Sequence, residues 1–338
     1  MSRAAIEKAY DELYAALRRM RLIGAAERPV LTPLAGGVSS DIYRVDLPQR
    51  RICIKRALAK LKVSAEWHAP VERNRYEVEW MRAARAIVPA LVPEVLAEDR
   101  ESGTFAMEYL EPEHHPVWKA QLRDGIIDAH VAAEVGRRVA AVHAATFADD
   151  AIARRFPTDA IFHAIRIEPY LLATARAHPE CAAALEALAD VTGSTHCALV
   201  HGDVSPKNIL VGPHGPILLD AECAWHGDPA FDVAFCLNHM LLKCLWRRQW
   251  RSRYLLCFDA LAESYVAGMG AQGAAIERRA ARLLPGLFLG RVDGKSPAEY
   301  VTQERDKERV RRVARELLLR PADRLAQVRS AWDAELQR

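Results

Sequence analysis

LVHGDVSPKNILVGPHGPILLD, residues 199–220, decides how the rest of this chain is read. Its apolar start delivers His201, Gly202 and Asp203 into a loop, and Asn208 follows five residues after Asp203. The β-type run Ile209, Leu210 and Val211 then meets a Gly/Pro-rich turn, and Ile217, Leu218 and Leu219 return the chain to Asp220, a pattern that predicts a hairpin. One loop therefore offers a carboxylate and an amide, and the far end of the adjoining hairpin offers a second carboxylate. A divalent cation carrying a nucleoside triphosphate needs such oxygen ligands, and an attacking hydroxyl needs a carboxylate that is not taken up by the metal.

With the type and spacing of His201, Asp203, Asn208 and Asp220 considered together, the stretch resembles the catalytic and metal loops of protein-kinase-like phosphotransferases. The form is that of aminoglycoside phosphotransferases, choline kinases and methylthioribose kinases. Protein kinases carry Arg before the catalytic Asp and Phe-Gly after the metal Asp, whereas this chain has Gly202 and Ala221-Glu222. The resemblance implies an α+β, bilobal protein-kinase-like fold, with a β-rich N-terminal lobe in residues 1–110 and a mainly helical lobe in residues 111–338. It further implies ATP and Mg2+ as cofactors and phosphoryl transfer to a small-molecule hydroxyl. Asp203 would then serve the acceptor hydroxyl, and Asn208 and Asp220 the metal. Asp220 and Glu222 are two residues apart, so on an extended backbone both carboxylates share a side, and Glu222 is a second candidate metal ligand or a neighbour that supports one.

Working outward, residues 3–23 place Ile6, Tyr10, Leu13, Leu17 and Met20 on one helical face. Pro29 and Pro33 open a β region in which Gly36, Gly37, Ser39 and Ser40 form a small-residue turn of the kind whose backbone N–H groups approach phosphates. The strand RICIK ends in Lys55, which the family resemblance makes the lysine of the α- and β-phosphates. An acid is expected opposite it. In a helix over residues 71–88, Glu77 shares the apolar face of Trp80 and Met81, while Glu72 and Glu79 fall away from it. The strand TFAMEYL leads toward the second lobe, and the resemblance assigns Met107, Glu108 and Leu110 to the adenine.

Beyond the proline-bounded connector EPEHHP, residues 129–147 set Val131, Val135, Val139, Val142 and His143 on one helical stripe. Asp232 lies where the family has an acid that braces the catalytic loop. Lys207, Arg291 and Lys295 are candidates for the acceptor pocket, and their charge favours a neutral or anionic acceptor, such as a sugar or a hydroxy acid, over a polycation. Two alternatives stay open at this point: an aminoglycoside-modifying kinase, and a nucleotide-binding pseudokinase that serves as an interaction module. A P-loop does not fit, because Gly290 and Gly294 are separated by three residues where that motif needs four.

Composition narrows the setting. The 338 residues are 51% hydrophobic and 27% charged, with a net charge of +3 that gives no ground for nucleic-acid binding. No apolar run approaches the roughly 18 residues of a membrane helix, and the N-terminal stretch does not read as a signal peptide. The seven cysteines form no C-x-x-C pair and read as free thiols. A cytoplasmic enzyme is the expectation.

Overall fold

The computed structural model describes residues 3–34, 40–58 and 72–338. Helix α1 (Arg3–Arg19) precedes a five-stranded antiparallel sheet of β1 (Val30–Pro33), β2 (Ser40–Asp46), β3 (Arg51–Ala57), β4 (Val95–Asp99) and β5 (Thr104–Glu108). The strand order is β1-β2-β3-β5-β4, so β3 is central and Lys55 is paired with Ile42 on one side and Phe105 on the other. Period-two alternation sorts the side chains of β3. Ile52 and Ile54 pack with Leu13, Tyr14 and Leu17 of α1, and a bidentate contact from Arg19 to Asp99 fastens that helix to β4. Cys53 and Lys55 take the opposite face, toward helix α2 (Arg73–Ile87). The candidate turn residues Gly36, Gly37 and Ser39 lie outside the described residues. Ser40 opens β2 with its side chain buried.

The chain is mainly helical after β5. Helix α3 (Ala129–Ala145) packs lengthwise on a later helix, α5 (Arg251–Gly268), and the antiparallel pair β6 (Ala198–Val200) and β9 (Trp225–Gly227) flanks the β7 (Ile209–Gly212) and β8 (Gly215–Leu218) hairpin. Helix α4 (Ala230–Trp246) is buried at every position but its last, the signature of a helix apolar all round and enclosed by others, among them α6 (Gly273–Asp293). Between these elements the segment His163–Leu172 is a π-helix. Pro169 stands inside it, and the ring's clash with the preceding turn and its missing N–H disfavour regular i→i−4 pairing there. Among the described residues, no helix is long and apolar enough to cross a membrane, and all seven cysteines are free.

Arg138 on α3 fixes the hairpin against the helices. Its guanidinium donates to the carbonyls of Ala90 and Pro216, each at 3.0 Å, and to that of His214, while Glu134 receives its Nε at 2.7 Å. Gly215 makes room for this fork: its φ of +101° belongs to the left-handed region, and a Cβ there would lie 2.5 Å from Arg138 Nη2. Arg138→Met leaves these carbonyls without their donor and is expected to lower unfolding stability by about 2–4 kcal/mol, read from urea denaturation. Arg138→Lys should recover only part of the loss, because a point ammonium does not reproduce the planar fork.

Candidate active site

Two carboxylates share the ammonium of Lys55. Its Nζ lies 2.8 and 2.7 Å from the two oxygens of Glu77 and also donates to Asp220. Lys55 is 3% exposed, and burial alone would lower its pKa; Asp220 and Glu77 outweigh that and raise it, so the charge is kept. Asp220 is held low in turn: burial opposes its ionisation, and Lys55 and Lys207 overcome that.

Asp220 has φ +68°, which turns the chain out of the extended path immediately after the hairpin. The expectation that Asp220 and Glu222 point to one side therefore fails. Glu222 faces Arg73 on α2, with Oε2 2.9 Å from Arg73 Nε. Asn208, by contrast, lines the same cavity as Asp220. Its amide nitrogen donates to the Asp203 carbonyl at 3.2 Å, leaving its oxygen available to a cation. Among the described residues no three His, Cys, Asp or Glu side chains gather as a metal cluster. One carboxylate and one amide oxygen fit Mg2+, which keeps most of its ligands as water and phosphate oxygens, and do not fit a cation that needs an all-protein cage.

The loop that carries Asp203 is braced from behind. Asp232 on α4 accepts from the backbone N–H groups of His201 (2.7 Å, at Oδ2) and Gly202 (2.8 Å, at Oδ1), and His143 Nε2 lies 3.2 Å from Oδ2. Gly202 has φ +79°, and a Cβ there would meet Cys223 at 2.6 Å. Neutral His201, its pKa lowered by burial, accepts from the Asp203 N–H at Nδ1 and donates from Nε2 to the Leu219 carbonyl. Asp203 thus keeps its carboxylate clear of the backbone bonds. Burial would raise its pKa, and Lys207 and Arg166 together bring it below the usual value. Arg166 Nη2 is 3.0 Å and Lys207 Nζ 3.3 Å from Asp203 Oδ2, and Arg166 Nε also donates to the Gly202 carbonyl.

Arg166 was not among the sequence candidates. It sits in the π-helix, where a 3.6-residue period cannot assign a face, and the only signal was an arginine set in the apolar run before Pro169.

Two cavities meet at Lys207. The larger, about 320 Å³, runs between sheet and hairpin, with Ile42, Met107, Leu110 and Leu219 among its apolar walls and Lys55, Asn208 and Asp220 among its polar ones; Glu108 also lines it. The smaller, about 180 Å³, holds Asp203, Lys119, His239, Lys243, Arg291 and Tyr300. Of the three residues proposed from sequence for an acceptor pocket, the structure brings Lys207 and Arg291 to this cavity. Lys295 lies elsewhere, 49% exposed and 2.6 Å from Glu168. Of the basic cluster Lys243, Arg247, Arg248, Arg251 and Arg253, which the sequence also offers as pocket lining, only Lys243 reaches the cavity, and Lys119 and Tyr300 join it from positions that carried no motif.

Comparison with known proteins agrees with this architecture. Over 253 residues the chain is 23% identical to methylthioribose kinase 1 of Oryza sativa subsp. japonica, covering 66% of this chain and 58% of that protein. The methylthioribose kinase of Escherichia coli O45:K1 (strain S88 / ExPEC) is 26% identical over 260 residues, covering 67% and 61%. The chain thus spans about three fifths of the length of these curated relatives. Among solved structures, an amicoumacin kinase in complex with AMP-PNP and Ca2+ superposes with a TM-score of 0.57 at 12% identity, over 97% of this chain and 100% of that one. A choline/ethanolamine kinase family protein from Mesorhizobium loti gives 0.51 at 15%, over 96% and 99%. These likenesses show a kinase-like fold. The model of the phosphotransferase enzyme family matches residues 30–263, more than half of the chain, and the chain belongs to that family.

Proposed function

We propose that this protein transfers the γ-phosphoryl group of ATP to a hydroxyl of a small molecule that is neutral or anionic. The observation that carries the reading is the place of Asp203: an ionised, braced carboxylate in the smaller cavity, one side chain away from a larger cavity that ends in Lys55, Asn208 and Asp220. Residues 1–110 act as the nucleotide-binding lobe and residues 111–338 as the catalytic and acceptor lobe. Met107, Glu108 and Leu110 flank the adenine, and Lys55, fixed by Glu77, meets the phosphates. Gly36, Gly37, Ser39 and Ser40 keep their proposed part in binding the triphosphate, Ser40 from the start of β2. The seven free thiols accord with a cytoplasmic setting.

In the reaction the acceptor oxygen attacks the γ-phosphorus, the bond to the β-phosphate oxygen breaks, and the hydroxyl proton passes to Asp203. ADP is the leaving group. Mg2+, which Asn208 and Asp220 would hold, supplies positive charge to the phosphate oxygens. Arg166 and Lys207 keep Asp203 ionised and aimed. Lys207 also lines both cavities, where charge develops between donor and acceptor. The acceptor's charge class follows from the smaller cavity, whose lining carries Lys119, Lys207, Lys243 and Arg291 against Asp203 and Glu299. A polycationic antibiotic is poorly matched to that surplus.

Asp203→Asn should abolish ADP release, while MgATP affinity measured by calorimetry stays within a few-fold; full turnover in that variant would remove Asp203 from the reaction. Asp220→Ala is expected to erase the magnesium dependence of nucleotide binding, and unchanged dependence would assign the metal elsewhere. The pH profile has a direction as well. Asp203 must be ionised to accept a proton, so activity falls as pH drops through its depressed pKa. Lys207→Met removes one of the charges that depress it, and the acid limb of kcat/KM should move up by roughly one pH unit. A limb that stays in place would mean that another group sets it.

A further inference from the structure

Lys243 is a charged residue in the wrong surroundings for a structural one. It lies on α4, a helix closed off on all sides, and is 1% exposed. Among the described residues its ammonium has no carboxylate partner. Its contacts are two aromatic faces, Trp246 at 4.8 Å and Tyr300 at 5.2 Å, which stack on one another with centroids 4.5 Å apart. A cation–π contact compensates a buried ammonium only in part.

The neighbouring charges leave this one unbalanced. Lys119 is paired with Glu299, and Lys207 and Arg166 with Asp203. Arg291, itself buried, donates to Ser296 at the carbonyl and, at 3.0 Å, at Oγ, and its Nε has no partner. His239 Nε2 and the Tyr300 hydroxyl are likewise buried without hydrogen bonds. All four side chains, Lys243, Arg291, His239 and Tyr300, line the cavity that holds Asp203. Orphaned donors of this kind, converging with surplus positive charge on one space, describe a receptor for oxyanions.

We infer that the acceptor carries an oxyanion, a carboxylate or a phosphate, which Lys243 anchors together with Arg291 while the acceptor hydroxyl faces Asp203. This rests on the phosphotransfer reading and narrows it: a neutral sugar leaves Lys243 uncompensated, and an anionic hydroxy compound does not. At about 180 Å³ the cavity has room for a small acceptor. The charge state of Lys243 supplies a signature. Burial, followed by Lys119, pushes its pKa down to about 7. The groups that face it are Lys119, Arg291, Glu299 and Tyr300 from packed elements, and His239 and Cys236 on its own helix. Burial keeps His239 neutral and raises the Tyr300 and Cys236 groups, so above neutral pH a bound anion restores the proton to Lys243.

Calorimetry at a pH one unit above neutrality, with a non-hydrolysable MgATP analogue present, tests this with glycerate, glycerol 3-phosphate and glycerol as probes in two buffers of different ionisation enthalpy. The anions are expected to bind at least about tenfold more tightly than glycerol, with proton uptake. Lys243→Met should lose that margin and the uptake, and Lys243→Arg should keep the margin without the uptake. The methionine variant, which removes an unpaired buried charge, should melt no lower than the wild type. Tighter glycerate identifies a carboxylate acceptor, tighter glycerol 3-phosphate a phosphorylated one. Equal binding of glycerol and its anionic partners, anion binding that survives Lys243→Met with its proton uptake, or no anion binding at all overturns the inference. ADP release separates the two readings. Asp203-dependent turnover of neutral acceptors without an anion effect would sink the oxyanion site alone, and Lys243-dependent anion binding without Asp203-dependent turnover would sink the reaction alone.

Discussion

One ammonium shared by two carboxylates holds the parts of this site in register. Lys55 comes from the central strand of the sheet, Glu77 from the helix packed on that sheet, and Asp220 from the loop that leaves the hairpin. Lys55 and Glu77 are buried and Asp220 partly so, and deleting Lys55 or Glu77 strands an uncompensated charge, a change that in buried pairs costs about 3–5 kcal/mol, far more than the net worth of the intact group. The triad therefore acts chiefly as a constraint on geometry. It fixes where a positive charge and an oxygen donor sit relative to each other across elements that are 165 residues apart in sequence.

The catalytic loop answers to a second constraint of the same kind, with backbone amides in place of an ammonium. Asp232 holds the N–H groups of His201 and Gly202, and the positive φ at Gly202 lets the loop turn against Cys223 where any side chain would collide. Asp203 is then free to be positioned by side chains alone. Arg166 and Lys207 approach the same carboxylate oxygen, one from a π-helix and one from within the loop. Asp203 sits where burial without them would favour its protonated form, so its usefulness as a proton acceptor at neutral pH depends on two cations, of which Arg166 lies outside the loop that names it.

What the sequence made readable was local in nature. His201, Asp203, Asn208 and Asp220 carry their relation in their spacing, the hairpin is written in a Gly/Pro turn between β-type runs, and Glu77 follows from helix phase because α2 is a regular helix. The rest depended on distance in space or on irregular backbone. Alternation could not place Glu222, because a left-handed residue at Asp220 breaks the extended backbone on which a shared side depended. Arg166 was invisible because Pro169 widens its helix and removes the period by which a face is assigned. Lys295 looked like a pocket residue for its charge, yet a half-buried partner outside the cavity, Glu168, takes it up. Lys243 was legible only as one member of a basic cluster with Arg247, Arg248, Arg251 and Arg253, a candidate for the pocket wall that a solvated helix face explained as well for most of its members; on a helix buried all round, periodicity is silent, and only the neighbours show which way a residue faces.

The same limit applies to specificity. Solved structures at 12% and 15% identity share the fold, and a common fold places no bound on the acceptor. The acceptor has to be argued from the wall of the smaller cavity. That wall is assembled from three separate regions, the helix Trp118–Arg123 with Lys119, α4 with His239 and Lys243, and the end of α6 with Arg291 and the residues after it. α4 carries the bracing Asp232 as well as His239 and Lys243, but the lining side chains are not themselves members of the Lys55 triad or of the Asp232 brace, so the lining can change charge while the phosphoryl-transfer machinery keeps its contacts. In this chain the lining carries Lys119, Lys207, Lys243 and Arg291 against Asp203 and Glu299, and Lys243, buried without a carboxylate among the described residues, is the cation for which a bound anion would supply the missing partner.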